Sequence, residues 1–334
     1  MRPADHPDVK TGVVGVLLVN LGTPDVPTPA AVKRYLKEFL SDRRVVEIPA
    51  IIWQPILRGI ILNTRPKKSA HAYQQVWTER GSPLAVITAD QAAALQARLG
   101  KGVQVDWAMR YGQPSIESRL AAMKDAGCER IVLAPLYPQY SAATTATVVD
   151  CAAGALARMR WQPAVRTLPA YHDDPAYISA LAQDIGGQID ALDFVPEVLL
   201  LSFHGMPERT LHLGDPYHCQ CHKTARLLAE ALRRQDLRIE VTFQSRFGRA
   251  KWLEPATDTV LEAEAKKGTR RLAIAAPGFS ADCLETLEEL AIRGKDQFIE
   301  AGGQHYAALT CLNAGNAGMD MLESLVRREL SGWA

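Results

Sequence analysis

His204 stands directly behind the apolar run Val198-Leu199-Leu200-Leu201 and Ser202-Phe203. Neutral imidazole is a common metal ligand and a base that titrates near neutral pH. The same position also suits a histidine that only hydrogen-bonds within a loop, and position alone leaves both readings open. A second cluster is Asp282-Cys283-Leu284-Glu285-Thr286-Leu287-Glu288-Glu289. On an α-helix, Asp282, Glu285 and Glu289 share one face by their i, i+3 and i+4 spacing. Leu284, Leu287 and Ala291 then fall on the opposite face, which is expected to pack on a sheet. Such an acidic stripe can attract a divalent cation and accept protons. Asp282 and Glu285 are also spaced as a helix-capping pair, and acids favour a helix N-terminus in any case, so spacing alone favours the cap. A third segment, Tyr137-Pro138-Gln139-Tyr140-Ser141, joins aromatic and hydroxyl side chains straight after an apolar run. It reads either as a platform for a planar aromatic ligand or as a turn ahead of a capped helix. The fourth is His218-Cys219-Gln220-Cys221-His222. One residue separates the cysteines where structural zinc sites use about two to four, and no second Cys or His pair follows. That pattern predicts a loop opening a helix at Lys223 rather than a structural metal centre.

The elements that must position these residues alternate along the chain. Short β-branched or apolar runs fall at 13–20, 103–109, 130–136 and 164–168, and again at 197–203, 239–244, 271–276 and 305–309. Several are nearly continuous in Val, Ile, Leu and Ala, as in strands buried on both faces. Amphipathic helical patterns lie between them, for example at 89–99, 115–126, 176–192 and 223–234. This alternation predicts an α/β fold with parallel sheets joined by right-handed crossovers. The two sets resemble each other: Leu18-Val19-Asn20-Leu21-Gly22 is similar to Leu201-Ser202-Phe203-His204-Gly205, and Ala134-Pro135-Leu136-Tyr137 to Ala276-Pro277-Gly278-Phe279. The expected organisation is a first doubly wound half over 1–172, a second over 173–312, and a C-terminal helix in 313–334 that packs back on the first. Ligands of such sheets bind beyond the carboxyl ends of the strands. A G-x-G-x-x-G after the first strand and a G-x-x-x-x-G-K-S/T motif are both missing, which counts against dinucleotide and P-loop enzymes.

The chain has 334 residues, 47% apolar and 22% charged, with a formal net charge of +1. That balance gives no basic excess for nucleic acid. Six cysteines scattered over this length suit a reducing cytosol better than a disulfide scaffold. Residues 1–8 carry no apolar run of a signal peptide, so a cytoplasmic location is expected. The most apolar stretch, 45–62, contains Glu47, Arg58, Pro49 and Pro55. It is a poor spanning helix, and is expected to lie on a membrane surface or line an apolar pocket.

Taken in order, these segments resemble the ferrochelatases. The likeness runs from Leu17-Leu18-Val19-Asn20-Leu21-Gly22-Thr23-Pro24 through Gly81-Ser82-Pro83-Leu84, Met109-Arg110-Tyr111-Gly112, Leu136-Tyr137-Pro138-Gln139-Tyr140-Ser141, Ser202-Phe203-His204-Gly205-Met206-Pro207, Gly214-Asp215-Pro216-Tyr217 and Phe243-Gln244-Ser245-Arg246 to Asp282-Cys283-Leu284-Glu285-Thr286-Leu287. The resemblance, of proteobacterial type, implies two Rossmann-like domains of the class II chelatase kind with a porphyrin cleft between them. It implies insertion of Fe²⁺ into protoporphyrin IX, with His204 and Glu285 as the catalytic and iron-binding pair. It places Asp282 and Glu289 on an acidic path, Arg110, Tyr111, Tyr140 and Ser141 near the porphyrin or metal entry route, and 45–62 as a lip that touches the membrane peripherally, on its inner face. Fe²⁺ is then a substrate and no cofactor is permanently bound. Many members carry a histidine where this chain has Cys283, and animal members end in a cysteine-rich tail that holds a 2Fe–2S cluster. No cysteine follows Cys311 here, so no such C-terminal cluster is expected. The rival readings are a chelatase for cobalt or for coproporphyrin, a haem carrier without turnover, and a nicotinamide dehydrogenase. Oligomeric state is not legible.

Overall fold

The structure, a computed structural model, describes residues 4–6, 8–248 and 250–334. Its eight strands are β1 (Val13–Gly22), β2 (Val103–Tyr111), β3 (Cys128–Pro135), β4 (Ala164–Thr167), β5 (Val198–His204), β6 (Arg238–Gln244), β7 (Arg271–Ala275) and β8 (His305–Ala308). They form two four-stranded sheets, ordered β2-β1-β3-β4 and β6-β5-β7-β8. Every pairing is parallel. The second sheet therefore repeats the order of the first, as two doubly wound halves require, and all eight strands fall on the runs expected of them.

The central strands explain the arrangement. Alternating residues of β1 serve two cores: Val16 and Leu18 point to one, Leu17 and Val19 to the other. Strand β5 does the same, with Leu199, Leu201 and Phe203 on one side and Val198 and Leu200 on the other. Val16 and Leu18 share a single cluster with Leu199, Leu201 and Phe203, completed by Tyr177, Leu228 and Leu325 from three helices. These helices are Pro175–Asp190, Tyr217–Leu232 and Asn316–Leu330. The C-terminal helix bridges the two halves, meeting Arg98 and Arg166 of the first and Asp174 of the second. Arg98 pairs with Asp320 and Glu323, Arg166 donates to the carbonyls of Glu329 and Ser331, and Arg328 pairs with Asp174.

Three local expectations are corrected. The helix expected from Lys223 already begins at Tyr217, so His218, Cys219, Cys221 and His222 lie on its first turns rather than in a loop. Asp215 makes this possible by accepting from the Tyr217 N–H at 3.0 Å. The acidic helix is a π-helix, Glu285–Gly294, running into an α-helix, Lys295–Glu300. Its wider turn buries Thr286, Leu290 and Gly294 at a spacing of four, with Phe298 following. The sheet-facing side is therefore not the Leu284, Leu287 and Ala291 face that an α-helical period predicts, and Asp282 lies ahead of the helix.

Segment 45–62 forms a short helix, Ala50–Ile56, and a π-turn, Leu57–Ile61. Leu57 is buried beside Leu40 and Leu62, while Ile51, Ile52 and Ile60 are 85%, 56% and 58% exposed. Among the described residues, no helix is long and apolar enough to cross a membrane.

Candidate active site

The carboxyl ends of β1 and β5 open on one cleft, because both central strands run parallel to their neighbours and their crossover helices occupy the sheet faces. Gly22 closes β1 with φ +124°, and a Cβ there would stand 1.9 Å from the Tyr111 carbonyl oxygen. Only glycine lets β1 run this close beside β2 and turn into the cleft. Next to it, Thr23 donates to Ser82 at 2.8 Å, and the Asn20 amide reaches Thr88 at 3.3 Å. These groups come from the first half.

From the second half, His204 ends β5 and lines the same pocket as Glu285. Its Nδ1 lies 2.7 Å from the Gly205 carbonyl oxygen. A carbonyl only accepts, so the bond assigns the proton to Nδ1 and leaves Nε2 with its lone pair. Glu285 is the first residue of the π-helix. It is held to β5 through a residue not singled out in the sequence. Gln244 lies beside His204 in the β5–β6 register, and its Nε2 donates to the Glu285 carbonyl at 3.1 Å. Its Oε1 accepts from Ser202 at 2.7 Å, and Ser202 in turn meets Thr257 at 2.9 Å. One buried amide thus fixes the helix carrying the carboxylate against the strand carrying the imidazole.

Asp282 acts from behind this helix. Its carboxylate accepts from Thr286 Oγ1 at 2.9 Å, from Asn313 Nδ2 at 2.7 Å and from the Cys311 N–H at 3.3 Å. The Asn313 carbonyl accepts from Gln91 of the first half, whose amide also reaches the Ser280 carbonyl. Glu289 lies in an adjoining cleft with Arg246 and Arg293. It accepts from the Ser245 N–H at 2.8 Å and the Ser245 hydroxyl at 2.5 Å. Burial raises its pKa despite these bonds and Arg293, and the neighbouring Glu285 adds to the rise.

The pocket wall is aromatic. Tyr35, Tyr73, Tyr137, Tyr217 and Phe279 line it, and the Phe279 ring centre is 6.5 Å from that of His204. Burial raises the phenol pKa of Tyr35 and Tyr73, with the Glu285 carboxylate as a further cause, so both stay neutral. Cys283 lines the pocket as well; burial, then Glu285, push its pKa up and keep it a thiol. Two lining residues, Tyr137 and Ser280, carry buried hydroxyls with no hydrogen-bond partner. Unsatisfied polar atoms on an otherwise packed wall fit a pocket that awaits a ligand.

The remaining expected residues do not line this pocket. Arg110 and Tyr111 converge on Asp42: Arg110 Nη2 at 2.5 Å, Tyr111 Oη at 2.9 Å, with Thr147 Oγ1 also at 2.5 Å. Tyr111 is fully buried, and Arg110 faces a separate open groove with Arg34, Lys37 and Asp150. Ser141 donates to Asp215 at 3.0 Å, and the Tyr140 N–H donates to Gln220 at 2.7 Å. Both bonds fix the helix Tyr217–Leu232 to the first half. Asp282, Glu285 and Glu289 are divided between a hydrogen-bonded anchor, the pocket and the adjoining cleft. Gln244 stands out in the sequence only within Phe243-Gln244-Ser245-Arg246 of the family likeness, and Tyr35, Tyr73 and Asn313 carry no sequence signal.

A family model described as Ferrochelatase matches residues 13–330. Proteins named ferrochelatase from Rhizobium johnstonii and Rhizobium meliloti are each 55% identical to this chain. They cover 100% and 98% of it, and 98% of their own length. One from Azoarcus sp. (strain BH72) is 51% identical over 99% of the chain and 91% of its own length. Among solved structures, SirB from Bacillus subtilis with Fe³⁺ aligns with a TM-score of 0.57 at 13% identity, covering 96% of this chain and 98% of that one. The sirohydrochlorin chelatase SirB from Bacillus subtilis subspecies spizizenii, in complex with cobalt, gives 0.56 at 12%, over 96% and 97%. These two structures bear on the fold alone, that of the class II chelatases. The sequence relatives span the whole chain, including both strand ends and the π-helix that meet in the cleft, and by that measure it belongs to the ferrochelatase family.

Proposed function

We propose that this chain inserts Fe²⁺ into protoporphyrin IX and releases two protons, giving protohaem as the last step of haem biosynthesis. The observation that carries the site assignment is that His204 and Glu285 line one aromatic-walled pocket from two elements locked together by Gln244. Metallation exchanges two pyrrole N–H protons for one metal ion. It needs a base at the ring face and ligands weak enough to give the ion up. Among the described residues, no group of three or more His, Cys, Asp or Glu side chains is arranged to hold a metal ion. A two-residue pair suits transfer better than storage. The His204 lone pair on Nε2 accepts a pyrrole proton, and Glu285 steadies the incoming Fe²⁺ and takes the second proton. Glu289, its pKa raised by burial, passes protons towards Ser245 and solvent.

Asp282 is a positioning residue in this reading, since its carboxylate is already filled by three donors. Arg110, Tyr111 and Ser141 act as framework behind the cleft, because their side chains are engaged with Asp42, Thr147 and Asp215, and Tyr140 is held by its backbone N–H to Gln220. Fe²⁺ and porphyrin are substrates, and the chemistry calls for no resident group. The chain is read as domains 1–172 and 173–312, with 313–334 returning to the first. The exposed isoleucines of 45–62 rest on the surface of the membrane's inner face and give the apolar porphyrin a short route to the cleft.

Anaerobic Fe²⁺ insertion into protoporphyrin tests this. His204→Ala is expected to lower turnover by about 10²-fold or more, as for a lost general base. Glu285→Gln is expected to lower insertion strongly while porphyrin still binds. Near-normal turnover in His204→Ala would overturn the assignment.

A further inference from the structure

The His218 and His222 rings belong to no part of the cleft machinery. They sit at i and i+4 on the helix Tyr217–Leu232, the spacing that puts two imidazoles on one helical face and that helical metal sites use. Their ring centres are 4.5 Å apart, with ring planes at 51°. Phe243 stacks on His218 at 5.8 Å and flanks His222 at 6.1 Å, forming an apolar back wall that limits where both rings turn.

The separation matches coordination. A metal ion about 2.1 Å from a ring nitrogen lies about 3.2 Å from the ring centre. Two such rings bound at about 90° to each other have centres about 4.5 Å apart, whereas a tetrahedral angle requires about 5.2 Å. With one nitrogen of each ring turned to a common point, the observed 4.5 Å fits two adjacent corners of a square-planar or octahedral ion. Among the described residues, neither ring has a hydrogen-bond partner; His218 is half-buried and His222 exposed. Burial, then the nearby His218, lower the His222 pKa, which favours the neutral, metal-binding form. The adjacent Lys223 is turned away into an ion pair with Asp173 at 2.5 Å. Cys221 is buried in the shared core, and Cys219 is exposed one residue from His218, off the histidine face.

We propose that His218 and His222 form a second, hydrated binding site for a borderline divalent transition-metal ion such as Ni²⁺ or Cu²⁺, separate from the His204–Glu285 pocket. Waters complete the coordination, so the site is labile. Oxygen-preferring Mg²⁺ and Ca²⁺ are not ligands for it, and Fe²⁺ binds less tightly than Ni²⁺ by the usual order for nitrogen donors.

Ni²⁺ is the probe of choice because it does not oxidise thiols. Equilibrium dialysis of the tag-free full chain at pH 7.5 is expected to show a Ni²⁺ site whose affinity falls about tenfold or more in His222→Gln and in His218→Ala. It is expected to persist in Cys219→Ser and in His204→Ala, and to weaken as the pH falls and protons compete with the metal for the ring nitrogens. His222 is exposed, so its variant keeps the fold even where removing His218 from Phe243 does not. Iron insertion by His222→Gln, assayed without added Ni²⁺, is expected to equal that of the parent. Unchanged Ni²⁺ affinity in His222→Gln, or loss of the site in Cys219→Ser or His204→Ala, would overturn the proposal.

Discussion

Replacing Gln244 with Met isolates the link between imidazole and carboxylate. Met keeps the unbranched shape and nearly the volume of Gln, so it leaves no large void. It removes both polar atoms from a side chain that is 2% exposed. The Glu285 carbonyl loses its donor, and Ser202 loses one acceptor but keeps Thr257. A buried group left unpaired costs about 1–3 kcal/mol, so the two together cost about 2–4 kcal/mol, with Ser202 at the lower end. For a chain of this size that lowers Tm by about 3–6 °C. The catalytic effect is separate. If the first turn of the π-helix shifts by about 1 Å, turnover falls by roughly 10²-fold while porphyrin KM changes little. The assay is a double-mutant cycle of Gln244→Met with Glu285→Gln, following iron insertion and thermal unfolding side by side. Because Gln244 acts on turnover through Glu285, the loss of kcat in the double variant should match that of Glu285→Gln alone, whereas the Tm loss should persist. Full multiplication of the kcat losses would refute the positioning argument, as would a fall in Tm with unchanged kcat.

Asp42→Asn tests the buried cluster behind the cleft. Burial raises the Asp42 pKa, but the Thr147 hydroxyl, the Arg44 N–H, Tyr111 and Arg110 outweigh it and hold the carboxyl below its usual 3.8. A depressed carboxylate contributes stability above the unfolded pKa and loses it as pH falls through the folded one. Asn at 42 should therefore cost about 3 kcal/mol at pH 7 in urea unfolding, with the gap to the parent closing only below about pH 4; an equal gap at pH 7 and pH 3 would refute this. At the lip, Ile51→Asp with Ile52→Asp should leave Tm unchanged, because both side chains face solvent. It should cut co-sedimentation with lipid vesicles by about tenfold or more per residue, from about 1.5 kcal/mol lost on each burial. Unaltered vesicle binding would remove residues 45–62 as the contact surface.

The strands were legible because Val13 to Val19 and Val198 to Leu201 are nearly unbroken apolar runs, which only doubly buried parallel strands require. The start of the helix at Tyr217 was not, because Tyr-His-Cys are indifferent helix formers and the capping carboxylate of Asp215 lies across a proline. The π-helix was misphased for a related reason. A periodicity of 3.6 was applied to a segment whose buried residues recur every four, and nothing in Glu285-Thr286-Leu287 announces the wider turn. His204 and Glu285 stood out by type and place, yet their pairing rested on the likeness to a family, since the contact that joins them runs through Gln244. A glutamine at a strand end has no signature of its own; its role comes from a register and a helix that only folding brings together.

Val16 and Leu18 of one sheet and Leu199, Leu201 and Phe203 of the other are sealed in a single apolar interior. Two lobes that close on a ligand need an interface that opens cheaply, and this one does not: parting them would wet the side chains of both central strands at about 25 cal/mol per Å². The repeat visible in the strand order thus coexists with one interior common to both sheets. Each sheet has an outer core within its own half, but its inner face is buried only in the shared cluster, so a cut near residue 172 strips one face of both sheets. The floor of the cleft behaves as a fixed mould, and adaptation to a bulky ring falls to the segments above it.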